Sequence, residues 1–186
     1  MEMVLGIKEN IPRLHGDKVV LTLLRNDEEA QIKYLSWMSD ETTCVNIEKN
    51  MSVLDSTYMP GWVADNSVMR MGIVYRADNN LIGYCHVDNR SKQNACWLSI
   101  NIGDSRYRGK GVGSDVMDIL LRYCFDELNA QSVHLDVIET NIPAIHLYQS
   151  KGFQISGRYR SHGYSKGRRC DWLHMDILHE EYSKRC

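Results

Sequence analysis

The chain has 186 residues, of which 43% are hydrophobic and 25% charged, and a formal net charge of −2. That length fits one globular domain over residues 1–186, its core spanning about 18–178. The near balance of charge excludes a global pull toward nucleic acid, and no run approaches the roughly 18 apolar residues of a membrane span.

Residues Met1–Lys8 lack the basic start and apolar stretch of a leader. The cysteines (Cys44, Cys85, Cys96, Cys124, Cys170 and Cys186) include no C-x-x-C pair and read as free thiols. Both features point to a reducing cytoplasm.

Lys18–Leu24, rich in Val and Leu, predicts a first strand. Asp27 can cap a helix to Met38, with Ala30, Tyr34, Leu35 and Met38 at helical spacing. From Ser39 to Asn66 the pattern is irregular, broken at Pro60-Gly61, and a short helix with a mobile loop is expected. A three-strand meander follows: Val68–Tyr75, Leu81–Val87 and Ala95–Ile102. Val112, Val116, Leu120, Cys124 and Leu128 recur four apart and predict a helix over Gly113–Leu128. Ser132–Ile138 alternates as a strand, Asn141–Lys151 reads as a helix closed by Gly152, and Phe153–Gly163 and Arg168–Leu178 read as two final strands. The order β-α-(irregular)-βββ-α-β-α-ββ describes an α/β (α+β) fold, a mixed, mostly antiparallel sheet flanked by helices.

Chemistry concentrates in two segments. Arg108-Gly109-Lys110-Gly111-Val112-Gly113-Ser114 follows an apolar strand and opens a helix. Glycines at alternate positions reach torsions that cost other residues about 1–2 kcal/mol in the left-handed region. They also leave main-chain N–H groups bare beside a helix start, where an anion is favoured. In the second segment Asn141, Ala144 and Tyr148 share one helix face, since they fall at i, i+3 and i+7. Asn141 or Thr140 can cap that helix, and Pro143 is tolerated in its first turn. A phenol with an ordinary pKa near 10 is a proton donor at neutral pH and suits a leaving thiolate.

Arg108, Gly111 and Gly113 match R/Q-x-x-G-x-G/A, and Asn141, Ala144, Tyr148, Gly152 and Phe153 match N-x-x-A-x-x-x-Y-x-x-x-G-F. Together the two motifs resemble the GCN5-related N-acetyltransferase superfamily. The resemblance runs from about Lys18 to Leu178. It is nearest the branch of ribosomal-protein N-terminal and spermidine acetyltransferases, through Ile102-Gly103-Asp104 and the basic last hairpin.

The resemblance implies acetyl-CoA as cosubstrate and an amine as acceptor, with neither nucleic acid nor membrane as partner; a homodimer is compatible with it. It implies pyrophosphate on the N–H groups of Arg108, Gly109, Lys110, Gly111, Val112, Gly113 and Ser114, and a pantetheine arm along Ile102-Gly103. It also implies that Asn141 steadies that arm beside Ala144, and that Tyr148 protonates the sulfur. The two motif strands are expected to splay, through a β-bulge, and N–H groups near Ile102 to polarise the thioester.

The chain departs from the family at one place. The strand before the glycine turn carries Trp97, Ser99 and Asn101 where many relatives have a glutamate. His86, Glu139 or a water chain is left to take the proton of the amine. An acceptor of low amine pKa, such as a peptide N-terminus or amino sugar, is therefore favoured over a polyamine. The competing reading is a non-catalytic acyl-CoA-binding module.

Other features read as structure. Arg158, Arg160, Lys166, Arg168 and Arg169 suit a charge-protected strand edge, with an anion contact as the alternative. No third ligand at suitable spacing accompanies His134-x-Asp136, so no metal is expected. Asp171-Trp172-Leu173-His174 lacks the nucleophile elbow of a hydrolase. Trp37, Met38, Met51, Met59, Trp62 and Met69 suit either an acceptor pocket or core.

Overall fold

The computed structural model describes residues 12–40, 68–90, 92–165 and 167–185. Its strands are β1 (Pro12–His15), β2 (Val19–Leu23), β3 (Met69–Tyr75), β4 (Asn80–Arg90), β5 (Ala95–Ile102), β6 (Ser132–Ile138), β7 (Gln154–Ser165) and β8 (Arg168–Leu178). The helices are α1 (Glu28–Ser39), α2 (Val112–Arg122), α3 (Ile142–Ser150) and α4 (His179–Ser183). The strands form one eight-stranded sheet in the order β1-β2-β3-β4-β5-β6-β8-β7. Every neighbouring pair is antiparallel except β5 and β6. The expected element order and mostly antiparallel sheet are therefore present.

The differences lie at the ends of elements. β1 and α4 add a strand before and a helix after the expected core. β1 has four residues and begins with a proline, too short to show an alternating pattern. The α2 helix ends early and passes into a π-turn over Tyr123–Glu127, where Leu128 N–H reaches back to Tyr123 O at 3.0 Å. The irregular segment, with Met51, Met59 and Trp62, lies outside the described residues apart from its first two positions. Cys44 and Cys186 also lie outside them, whereas Cys85, Cys96, Cys124 and Cys170 are buried and in no disulfide. Among the described residues no helix is long and apolar enough to cross a membrane.

Two apolar layers sandwich the sheet. On one face Val116, Met117 and Leu120 of α2 pack with Ile73, Leu98, Val133, Leu135 and Met175. Full burial of such a side chain contributes about 1.5–3 kcal/mol, so this layer dominates the fold's stability. On the other face Ala30, Tyr34, Trp37 and Met38 of α1 cover Val74, Leu81 and Tyr84. Asp27 fixes the start of α1: its carboxylate accepts from Ala30 N–H at 3.2 Å and from Arg25 at 2.7 and 2.8 Å. At the far edge, Arg158 and Arg160 of β7 are exposed, as a charge-protected edge requires.

The site is positioned by a break in the sheet. β5 and β6 pair only at Ala95–Trp97 with Ser132–His134. Beyond that point β5 stays on β4 as far as Ile102, while β6 stays on β8 as far as Ile138. A wedge thus opens between the two strands. The expected bulge is absent from β5, whose register with β4 runs unbroken; the parting of the parallel pair alone makes the opening.

Candidate functional site

The glycine turn lies at the wide end of this wedge. Gly109 and Gly111 hold φ of 71° and 77°, in the left-handed region that other residues avoid. Gly113 has a different task. It sits inside α2, where an added Cβ would come 3.2 Å from Leu147 of α3, so it permits close helix approach. Gly111 is the N-cap of α2 and supplies no side-chain cap. The N–H groups of Val112, Gly113 and Ser114 therefore point out of the helix start without an intrahelical acceptor.

Arg108 departs from its expected part. Its N–H donates to Ser105 O at 3.1 Å, so the donors available to an anion start after it. Its guanidinium instead braces the end of β5, donating to Ile102 O at 2.8 Å and Gly103 O at 3.1 Å.

Asp115 and Lys18, which the sequence did not single out, and Trp37, which it offered for pocket or core, shape this end of the wedge. Asp115, in the first turn of α2, accepts N–H bonds from Asp17, Lys18 and Val19 at 2.8–3.0 Å, pinning the β1–β2 turn to the helix start. The Lys18 ammonium donates to Lys110 O at 2.7 Å, which adds a cation beside the turn. Trp37 lies so close to Gly103 that any Cβ there would overlap its ring. All three contacts join distant parts of the chain, and no local pattern announces them.

On the other flank, α3 presents Asn141, Ala144 and Tyr148. The Asn141 carbonyl caps the helix, accepting from Ala144 N–H at 3.3 Å; its amide NH2 keeps both donors. The Tyr148 ring packs against the main core and stands 6.0 Å from the ring of Phe153. The phenol hydroxyl has no hydrogen-bond partner among the described residues. Burial pushes its pKa up to about 12, which keeps the proton on at any physiological pH. Gly152, at φ 93°, then ends α3 and turns Phe153 into the core.

The two candidate bases fare differently. His86 is half-buried on β4, opposite Arg70 and Ser99. Its neighbours Cys85 and Val87 face α2, so by alternation it shares the face that carries α1. Glu139 is committed to the last hairpin: Oε1 accepts from Asp171 N–H at 2.8 Å and Oε2 from Arg158 at 3.2 Å. Asn101, beside this region on β5, is buried, and its Nδ2 donor has no partner among the described residues. That is costly unless a ligand supplies an acceptor.

With a wedge, an uncapped helix start and an unpartnered phenol in place, the family match carries specific content. Residues 25–174 match the profile of the acetyltransferase (GNAT) domain. The chain belongs to that family. Among its relatives is a spermine/spermidine N(1)-acetyltransferase of Bacillus subtilis, 31% identical over 99 residues, covering 50% of this chain and 64% of that protein. This match thus spans less than two thirds of the relative's length. An uncharacterised N-acetyltransferase of Bacillus licheniformis is 28% identical over 170 residues, covering 88% of this chain and 95% of its own. In fold, the chain is similar to a crystal structure of spermidine N-acetyltransferase from Vibrio cholerae in complex with CoA and spermine. The TM-score is 0.79 at 21% identity, over 89% of this chain and 98% of that one.

Proposed function

We propose that the protein, acting as a single domain, moves an acetyl group from acetyl-CoA to a primary amine by direct attack. The observation that carries this reading is the parting of β5 from β6 between a bare helix start and the unpartnered Tyr148 hydroxyl. Acetyl-CoA supplies an acetyl group activated as a thioester. The N–H groups following Arg108, with Lys18 and Lys110, hold its pyrophosphate at the start of α2. The free amide donors of Asn141 and Asn101 steady the arm that fills the wedge. The neutral amine forms the new C–N bond, the C–S bond breaks, and Tyr148 gives its proton to the sulfur. The ammonium formed by the attack passes its proton to solvent or to His86, the candidate base on the face of α1. Holding both reactants in one cleft supplies much of the rate.

Relatives named for spermine and spermidine make a polyamine the first acceptor to test. The carboxylate-free strand favours an amine that is already neutral. The two alternatives separate by pH: a peptide α-amine has a pKa of about 7.7–8 and a polyamine-like amine about 10.4. CoA release from acetyl-CoA is measured against spermidine, spermine, peptide N-termini and amino sugars, at several pH values. The expected result is release that requires one amine class and yields its mono-acetylated product. If CoA raises the melting temperature but no amine drives release, the protein is an acyl-CoA-binding module instead.

A further inference from the structure

Antiparallel β6 and β8 place His134 opposite Asp176 and Asp136 opposite His174. The alternating positions Val133, Leu135, Met175 and Ile177 lie in the core under α2. The four polar side chains therefore project together from the other face of the sheet. His134 Nδ1 stands 3.2 Å from His174 Nε2 and 4.0 Å from Asp176 Oδ2. One ligand atom from each of His134, His174 and Asp176 lies within 4.8 Å of the other two.

The surroundings orient these rings. His174 Nδ1 lies 2.6 Å from Asp136 Oδ1, and His134 Nε2 lies 2.7 Å from Ser132 Oγ. With protons on those outward nitrogens, the inward ones are two lone pairs facing each other. Either a cation or a single bridging proton must sit between them. Outer carboxylate and hydroxyl partners of this kind are what fix metal-bound imidazoles. In a tetrahedron with bonds of about 2.0–2.1 Å, neighbouring ligand atoms lie roughly 3.4 Å apart. The observed separations reach that value through small side-chain rotations. Trp97 stacks on His134 at 4.3 Å and takes Arg90 over its ring at 4.0 Å, which walls the cluster on the β5 side. The side chains of His134, His174 and Asp176 are 16%, 18% and 24% exposed, sheltered yet reachable from solvent.

We propose that His134, His174 and Asp176 form a binding site for a divalent transition-metal ion of the zinc class, with a fourth position open. Two imidazoles and one carboxylate suit zinc, cobalt or nickel, whereas magnesium and calcium prefer all-oxygen sites. The third and fourth polar groups arrive from β8, which is why His134-x-Asp136 looked incomplete in the sequence.

Calorimetric titration of the tag-free chain with Zn2+, and optical titration with Co2+, test it. The expected results are a rise in melting temperature with Zn2+, none with Mg2+, and visible bands of tetrahedral Co2+. Asp136→Asn keeps the shape but weakens the outer hydrogen bond, and should reduce Zn2+ affinity by about 10–100-fold. The double variant His134→Gln/His174→Gln should lose the Co2+ bands, with its metal-free melting curve showing that it folds. No Zn2+ uptake by the wild type, or uptake unchanged in the double variant, would overturn the proposal and leave a proton-bridged histidine pair.

Discussion

Two helices in this molecule begin in opposite ways. α1 starts behind Asp27, whose carboxylate caps Ala30 N–H and is itself clamped by Arg25, and Glu28 and Glu29 follow in its first turn. Its positive end is filled by the chain's own charges. α2 starts behind Gly111, without a side-chain cap. The one acid of its first turn, Asp115, is turned away to hold Asp17, Lys18 and Val19. The first arrangement stabilises a helix. The second forgoes that stabilisation and keeps N–H groups ready for a ligand's negative charge.

The largest test of this contrast is Gly111→Val. A branched residue at φ 77° is strained, and its Cβ would meet Lys18 Nζ at 2.7 Å. CoA should raise the melting temperature of the wild type by mass action and fail to raise that of the variant. A retained shift would mean that the anion lies elsewhere. Gly113→Ala is the control, because Gly113 is helical and meets only Leu147. Its melting temperature should stay close to wild type and its CoA response should survive.

Next in size is Tyr148→Phe, which keeps the ring and removes the acid. kcat should fall about ten- to a thousand-fold while acetyl-CoA affinity holds. Because burial raises the phenol's pKa to about 12, the acid stays protonated below that pH. The wild-type rate should therefore show no alkaline fall assignable to Tyr148 up to about pH 10. Activity within twofold of wild type would assign the proton to water.

The smaller effect is on stability alone. Asp27→Ala removes the cap and leaves Arg25 buried without its main partner, a cost of about 2–4 kcal/mol, with CoA binding intact. Arg25 holds the Asp27 carboxyl below its ordinary value of 3.8. Its contribution is therefore complete above that pH and is lost as pH falls through the lowered value. Acid-unfolding curves should show a shallower limb in the variant. Equal melting temperatures would show that the clamp adds nothing.

What the sequence disclosed was local. Asp27, Asn141 and Gly152 announce helix ends within a few residues of where the structure places them, and strand patterning found β5, β6 and β8 to the residue. The glycine turn and the Asn141, Ala144 and Tyr148 face were readable as local features because both depend on spacing along one element. Partners brought in from afar stayed hidden: Lys18 on Lys110, Asp115 on the β1–β2 turn, and His174 and Asp176 beside His134. Arg108 was misread for the same reason, since a motif arginine gives no sign that its side chain turns back onto Ile102 and Gly103. Glu139 was readable as a carboxylate near the site. Its engagement by Arg158 and by the backbone of Asp171 depends on a hairpin formed later in the chain.

The grip of Asp115 on residues 17–19 spans 96–98 positions of sequence. Closing so large a loop is entropically expensive and slow compared with forming α2 itself. During folding, the helix can therefore exist before its start is anchored. In the proposed function the anion site is complete only once the first hairpin docks, so CoA binding is expected to report on assembly of the chain's two halves and not on the helix alone. A ligand that selects this last contact acts as a thermodynamic check that the N-terminal strands have found their place.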